Sequence, residues 1–233
     1  MSEILLAGIY LAHRPNTAGH IAYECARSRN HAVAQRWAAV ALGGEGKSDL
    51  PGTRAIYVDV TPKFVIIDAM IGDALEFDWL LLSDDDVELP DGFIDTFIHL
   101  AETYDFALCQ PARTIDSYID HGLVMQAPGL AARRTRFVEI GPFVAIRRDA
   151  MAHLLPFGPE AGMGWGLDFI WPVIMEKAGL RMGVIDGAPL AHRMRKPVTG
   201  YDHGDESRAM FRRMALNPYL PHDQAFTVLE AYA

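Results

Sequence analysis

Trp79-Leu80-Leu81-Leu82-Ser83-Asp84-Asp85-Asp86-Val87-Glu88-Leu89-Pro90 is the stretch on which the reading of the fold turns. It opens as a short apolar run of strand length, suited to a strand buried on both faces. Three consecutive carboxylates follow, and a proline closes the segment. Adjacent anions at the tip of a buried strand repel one another and need a compensating cation. In an extended chain alternate side chains share a side, so Asp84 and Asp86 are expected to converge and Asp85 to face away. A hard divalent cation, held by one or two carboxylates with phosphate oxygens and water completing its shell, accounts for that arrangement. A solvated acidic turn entering a helix at Asp91 accounts for it too, because carboxylates near a helix N-terminus are stabilising. The flanking sequence has to decide.

On the N-terminal side, Ile4 to Ala12 reads as a first buried strand, and Thr17 as the cap of a helix over 18–28. Residues 33–42, ending in Gly43-Gly44, and 55–60 read as further strands. Helical spacing of Phe64, Ile67, Met70, Ile71 and Leu75 predicts a helix over 63–75. After the triplet come a helix over 91–104 and a strand over 106–110, ended by Pro111. Gly43-Gly44-Glu45-Gly46-Lys47-Ser48 ends like a phosphate-binding loop, but Ala41 stands where that motif needs glycine, so it reads as a surface loop. Alternating strands and helices predict a mostly parallel sheet covered on both faces. Ligands of such sheets bind off the carboxyl ends of the strands, which is where the triplet sits.

On the C-terminal side, the pattern loosens over 112–136 into a long loop or irregular hairpins, the usual home of acceptor recognition. A strand over 137–146, kinked at Gly141-Pro142, precedes a short helix over 148–155. Gly162-Met163-Gly164-Trp165-Gly166-Leu167-Asp168 is a glycine-rich approach to a helix, with Asp168 as N-cap and Gly179 as its stop. A strand over 182–186 leads to His192 and the basic run Arg193-Met194-Arg195-Lys196, and a helix covers about 206–215. No repeat or linker divides the chain, so the fold class is α/β in a single domain.

Thirty acidic residues against 21 basic ones leave a net charge of −9, which argues against nucleic acid as the main partner. The scarce basic residues are clustered, which suits a small anion such as phosphate. Two cysteines, Cys25 and Cys109, cannot build a disulfide framework and read as reduced thiols. Glu3 stands where a secretion signal would carry positive charge, and no apolar run is long enough to span a bilayer. The expectation is a cytoplasmic protein whose membrane contact, if any, is peripheral.

Leu80 to Phe93, Gly164-Trp165-Gly166-Leu167-Asp168, and Val184-Ile185-Asp186 leading to His192 together resemble the GT-A-fold glycosyltransferases of the broad family-2 type. These enzymes transfer sugars from nucleotide-diphosphate donors. The first segment is similar to the family's Asp-x-Asp element, the second to the turn carrying the catalytic base of inverting members. The third is similar to the strand and histidine that complete metal binding in some members. The resemblance spans roughly Lys63 to Tyr201.

It implies a Rossmann-like GT-A domain with a nucleotide-binding half at about 1–111 and an acceptor and catalytic half at about 112–233. It implies a divalent cation, Mn2+ or Mg2+, on Asp84, Asp86 and His192, neutralising the leaving diphosphate of a UDP-sugar. Donor contacts are then expected from Asp59, Lys63, Asp84, Arg193, Arg195 and Lys196, the basic run closing over the diphosphate. Asp168 becomes the base that deprotonates a carbohydrate or other hydroxyl acceptor, with Trp165, Gly166 and Glu139 on the acceptor side. Trp165, Phe169 and Trp171 offer rings for a sugar to stack on, though large apolar residues at a helix start usually belong to a core. Two alternatives share parts of this pattern. A nucleotidyltransferase also uses paired aspartates on an α/β sheet, but no glycine-rich triphosphate loop is present near the first strand. A non-catalytic nucleotide- or sugar-binding module would keep the fold, yet every acid and the histidine are retained here.

Overall fold

A computed structural model describes residues 1–195 and 202–233. The first half runs β1 (Glu3–Leu11), α1 (Ala18–Ala26), β2 (Ala32–Val40), β3 (Thr53–Tyr57), α2 (Lys63–Asp68), β4 (Trp79–Ser83) and α3 (Phe93–Thr103). The second half runs β5 (Phe106–Arg113), β6 (Ala132–Thr135), β7 (Phe143–Arg147), α4 (Arg148–Leu154), α5 (Leu167–Ala178) and β8 (Arg181–Leu190). It finishes with α6 (His203–Leu216), α7 (His222–Ala225) and β9 (Val228–Tyr232). The strands form one sheet in the order β3-β2-β1-β4-β7-β5-β8-β6-β9. β1 to β4 pair in parallel, β7 runs antiparallel between β4 and β5, and β8 is again parallel to β5. β6 and β9 add an antiparallel flank.

All five residues of β4 are buried, as expected of an apolar run covered on both faces. Period-two alternation sends Ile4, Leu6, Trp79 and Leu81 to one face, where α1 and α3 cover them with Ile21, Phe93 and Phe97. Leu5, Ala7, Leu80 and Leu82 go to the other face, under Phe64 of α2, Met151 of α4 and Trp171 and Met175 of α5. β4 therefore sits mid-sheet, with β1, β2 and β3 on one side and β5, β8 and β6 beyond β7 on the other. No described helix is long and apolar enough to cross a membrane.

Several elements differ from the sequence-based expectation, each for a local reason. The helix over 63–75 stops at Asp68. Arg36 donates to the Met70 carbonyl at 2.6 Å and grips Asp73, so the chain turns there and only a short helical turn follows at Ala74–Glu76. β5 runs through Pro111 to Arg113, because β7 pairs only with Leu108 and Cys109 and leaves that edge free where the proline lacks its amide hydrogen. The strand expected over 137–146 begins only at Phe143. β6 was hidden by its charge: Arg133 is buried because its guanidinium binds Asp186 of β8 at 2.9 Å and the carbonyls of Leu123 and Met125. Thr17 makes no cap bond to α1. Its hydroxyl donates instead to the carbonyls of Asp85 and Val87, at 2.9 and 2.6 Å, fastening the start of α1 beneath the acidic triplet.

Candidate active site

A cavity of about 640 Å3 opens at the carboxyl ends of the strands. Leu11 of β1 and Val40 of β2 border one end and Arg113 of β5 the other, with the three aspartates after β4 between them. Such an edge is where an open α/β sheet binds ligands.

The triplet does not stay extended. The chain bends at Asp85 and Asp86, so strict alternation is lost. Asp84 is the most accessible of the three and pairs with Lys63 Nζ at 2.7 Å. Gly141 lies over this pair, and a Cβ there would stand 2.9 Å from both the Asp84 carboxylate and the Lys63 ammonium. Asp85 does not face away from the other two but borders the same cavity. It is buried, accepts the Leu11 amide at 2.6 Å and is bound by the Arg195 guanidinium, which also reaches Asp86 at 3.2 Å. Burial pushes the Asp85 carboxyl up, against the pull of Arg195. Burial acts on Asp86 too, but His192 and Arg195 together outweigh it and hold that carboxyl below its ordinary range. The repulsion legible in the sequence is thus relieved by the chain's own Lys63 and Arg195.

A bridge between Glu88 and Ala191, with amide-to-carbonyl distances of 2.8 and 3.1 Å, brings the segment after β8 to the triplet. His192 Nε2 consequently lies 3.4 Å from Asp86 Oδ2, while its buried Nδ1 has no partner. Arg193 turns outward to Glu88 and Asp116 and does not line the cavity. Asp59 is exposed beyond β3, also off the cavity, although Val60 and Thr61 border it. Lys196 lies outside the described residues. Among the described residues no three His, Cys, Asp or Glu side chains are gathered to hold a metal ion.

On the β5 and β8 side, Asp168 enters the cavity from the first turn of α5. Gly166, with φ of 89°, takes the N-cap position expected for Asp168, which sits in the first turn instead. Asp168 is buried with Oδ1 unpartnered, and desolvation pushes its carboxyl up to about 7. Glu139 also lines this side, bound to the buried Arg113, with Oε1 unpartnered. Desolvation takes Glu139 up to about 8 despite Arg113, and the charges of Asp120 and Asp168 act in the same direction. Trp165 and Phe169 border the cavity, whereas Trp171 belongs to the core, against Phe64 and Phe157. The structure adds residues that the sequence left unmarked. His13 and Arg14, in the loop after β1, and Arg113, Asp120 and His121, in and after β5, all border the same space. Their signal was positional: His13 and Arg14 follow the carboxyl end of β1, Arg113 ends β5, and Asp120 and His121 lie in the loop beyond it.

No protein-family model matches the chain, and no curated protein matches its sequence. Solved structures do. GalNAc-T7, crystallised with UDP, GalNAc and Mn2+, superposes with a TM-score of 0.57 at 10% identity, over 85% of this chain and 44% of that one. TarS 1-349 of S. aureus, in complex with UDP-GlcNAc, gives 0.58 at 9% identity, over 93% of this chain and 66% of that one. Glucosyl-3-phosphoglycerate synthase from Mycobacterium tuberculosis, in complex with Mn2+, UDP and phosphoglyceric acid, gives 0.55 at 16% identity, over 92% and 76%. The chain thus spans less than two thirds of the length of the first two. At such identities the likeness is one of architecture: the chain has a GT-A-type fold.

Proposed function

We propose that the protein is a metal-dependent glycosyltransferase that moves a sugar from a nucleotide-diphosphate donor to an acceptor hydroxyl with inversion. One observation carries this reading. A single cavity holds the compensated acidic triplet at its centre and, on its β5 and β8 side, a buried carboxyl with a free oxygen. The solved structures sharing this fold were crystallised with UDP, UDP-GlcNAc, Mn2+ or Mg2+, which supports a UDP-sugar donor and a divalent cation here.

The residues fit such a cation as a two-donor seat. Asp86 offers a carboxylate oxygen 3.4 Å from the His192 imidazole nitrogen, and Asp84 borders the same cavity. One or two carboxylates with substrate phosphates completing the shell is the usual arrangement for a hard cation. When bound, the ion stabilises the charge developing on the leaving diphosphate. Arg195 and Lys63 can transfer their hydrogen bonds from the aspartates to the diphosphate as it enters. The loop after β1 and Thr61, with Asp59 nearby, offers the nucleoside its contacts, and Lys196 follows directly on Arg195. At the other end the free Oδ1 of Asp168 accepts the proton of the acceptor hydroxyl. A midpoint near 7 leaves a large fraction of that carboxyl ionised at neutral pH yet basic enough to take the proton. Glu139 and Trp165 flank the position of the acceptor.

Calorimetric titration of UDP, and separately GDP, with and without Mn2+, tests the reading. Metal-dependent binding of one nucleotide that disappears in Asp86→Ala is expected. Absence of binding by either nucleotide under both conditions would overturn it.

A further inference from the structure

Asp168 is held in place from a distant part of the chain. α6 lies against the glycine-rich turn that precedes α5, and Arg213 is its buried contact. The Arg213 guanidinium donates to the Glu160 carbonyl from Nε at 3.0 Å and from Nη2 at 2.7 Å, and from Nη1 to the Trp165 carbonyl. One planar group therefore clasps both ends of the segment 160–165, from whose end Asp168 projects into the cavity. The fit is close. A Cβ on Gly162 would lie 3.2 Å from Arg213 Nη2, and one on Gly166 would lie 3.0 Å from Met210 Cγ of the same helix. Both glycines have positive φ, at 58° and 89°, so the turn is one that other residues rarely adopt.

The clasp is charged as well as rigid. Glu206, two turns earlier on the same face of α6, forms an ion pair with Arg213 at 3.6 Å, its Oε1 making no hydrogen bond. Burial acts most strongly on Asp168, backbone amides of the turn oppose it, and the guanidinium's charge adds a smaller pull toward the ionised form. From the segment before β7, Glu139 faces Asp168 with a carboxyl whose interaction opposes simultaneous ionisation of the two. Arg113 and Asp120 stand behind Glu139. Arg213 is the cation that acts on Asp168 from the α6 side.

We propose that Arg213 is a positioning residue for Asp168: by clasping the Glu160 and Trp165 carbonyls it fixes the turn that aims the carboxyl into the cavity. The inference rests on the reading of Asp168 as the base, but its test needs no acceptor. Aspartate carboxyls labelled with 13C are titrated by NMR in the full chain, and Asp168→Asn identifies the Asp168 signal. Arg213→Gln, which keeps hydrogen-bonding capacity and loses the charge, is expected to raise the Asp168 midpoint by about one pH unit. Arg213→Lys, which keeps the charge but cannot span two carbonyls, is expected to leave that midpoint in place. It should instead raise amide hydrogen exchange over 162–168 by about tenfold. A folded Arg213→Gln protein with an unmoved midpoint overturns the charge role. Unchanged exchange in Arg213→Lys overturns the positioning role, and it decides the matter if the glutamine variant does not fold. UDP binding, measured on the same samples, separates the two hypotheses. Its absence in the unaltered protein counts against the glycosyltransferase reading, whereas unchanged exchange or an unmoved midpoint counts only against Arg213.

Discussion

Asp168 is a carboxyl kept from water with one oxygen unbonded, an arrangement that costs stability unless the group stays protonated. Asp168→Asn removes the base and preserves the shape. Donor transfer is expected to fall about 10²- to 10⁴-fold while UDP affinity is unchanged; a parallel loss of UDP affinity would contradict the assignment. The same burial sets a pH dependence. Asp168 and Glu139 are raised to about 7 and about 8, so both bind protons more tightly in the folded state than in the unfolded one. Their contribution to stability is complete below about pH 4 and is lost as pH rises through 7 and 8. The unfolding free energy from urea titrations should therefore fall between pH 5 and pH 8, by about a few kcal/mol in total, and Asp168→Asn should flatten part of that fall. An Asp168→Asn variant whose pH dependence matches that of the unaltered protein would show that Asp168 does not titrate over this interval. In the sequence, Asp168 and Glu139 drew their expected roles from the family resemblance and not from local pattern. A lone Asp after a glycine-rich turn usually caps a helix, and only the fold shows that Gly166 takes the cap position and Asp168 the cavity.

At the scale of elements, the buried Arg133–Asp186 pair joins β6 to β8, and the Asp186 carboxylate also accepts the Ala127 amide at 2.8 Å. Removing one member of a buried pair leaves the other charge uncompensated. Arg133→Ala should cost about 3–5 kcal/mol in equilibrium unfolding, far more than loss of the exposed Arg208–Asp205 pair on α6. A cost below about 1 kcal/mol would mean that water reaches Asp186 once the arginine is gone. This pair also explains why β6 escaped the sequence. A strand containing Ala132-Arg133-Arg134-Thr135 carries no apolar alternation, and its burial depends on a partner more than 50 positions away. The short α2 has a similar cause, since Arg36 on β2 captures the carbonyl on which another helical turn would build. By contrast β1, β4, α3 and α5 were legible, because their burial follows from their own apolar pattern and from stops such as Gly179.

At the scale of the whole molecule, the cavity spans both sides of β4, so a ligand filling it contacts elements from both halves of the chain. A ligand that binds only the folded state stabilises it by mass action, by about 2.7 kcal/mol at one hundred times its dissociation constant. UDP and Mn2+ together should therefore raise the thermal midpoint more than the sum of their separate effects, because each supplies part of the other's site. Simple additivity would indicate independent sites. By itself the sequence determined the alternation of strands and helices, the acidic triplet at a strand's carboxyl end, and the glycine-rich turn with its aspartate. These are local patterns, written in hydrophobic period, charge and turn chemistry. Only the tertiary structure decided that Lys63 and Arg195 compensate the triplet, that Arg193 points elsewhere, and that Glu139, Asp168 and Arg113 share one wall of the cavity. The physical reason is distance along the chain. A pair such as Asp85 and Arg195 is separated by 110 positions, and charge pairing at that range leaves no periodic trace in a single sequence.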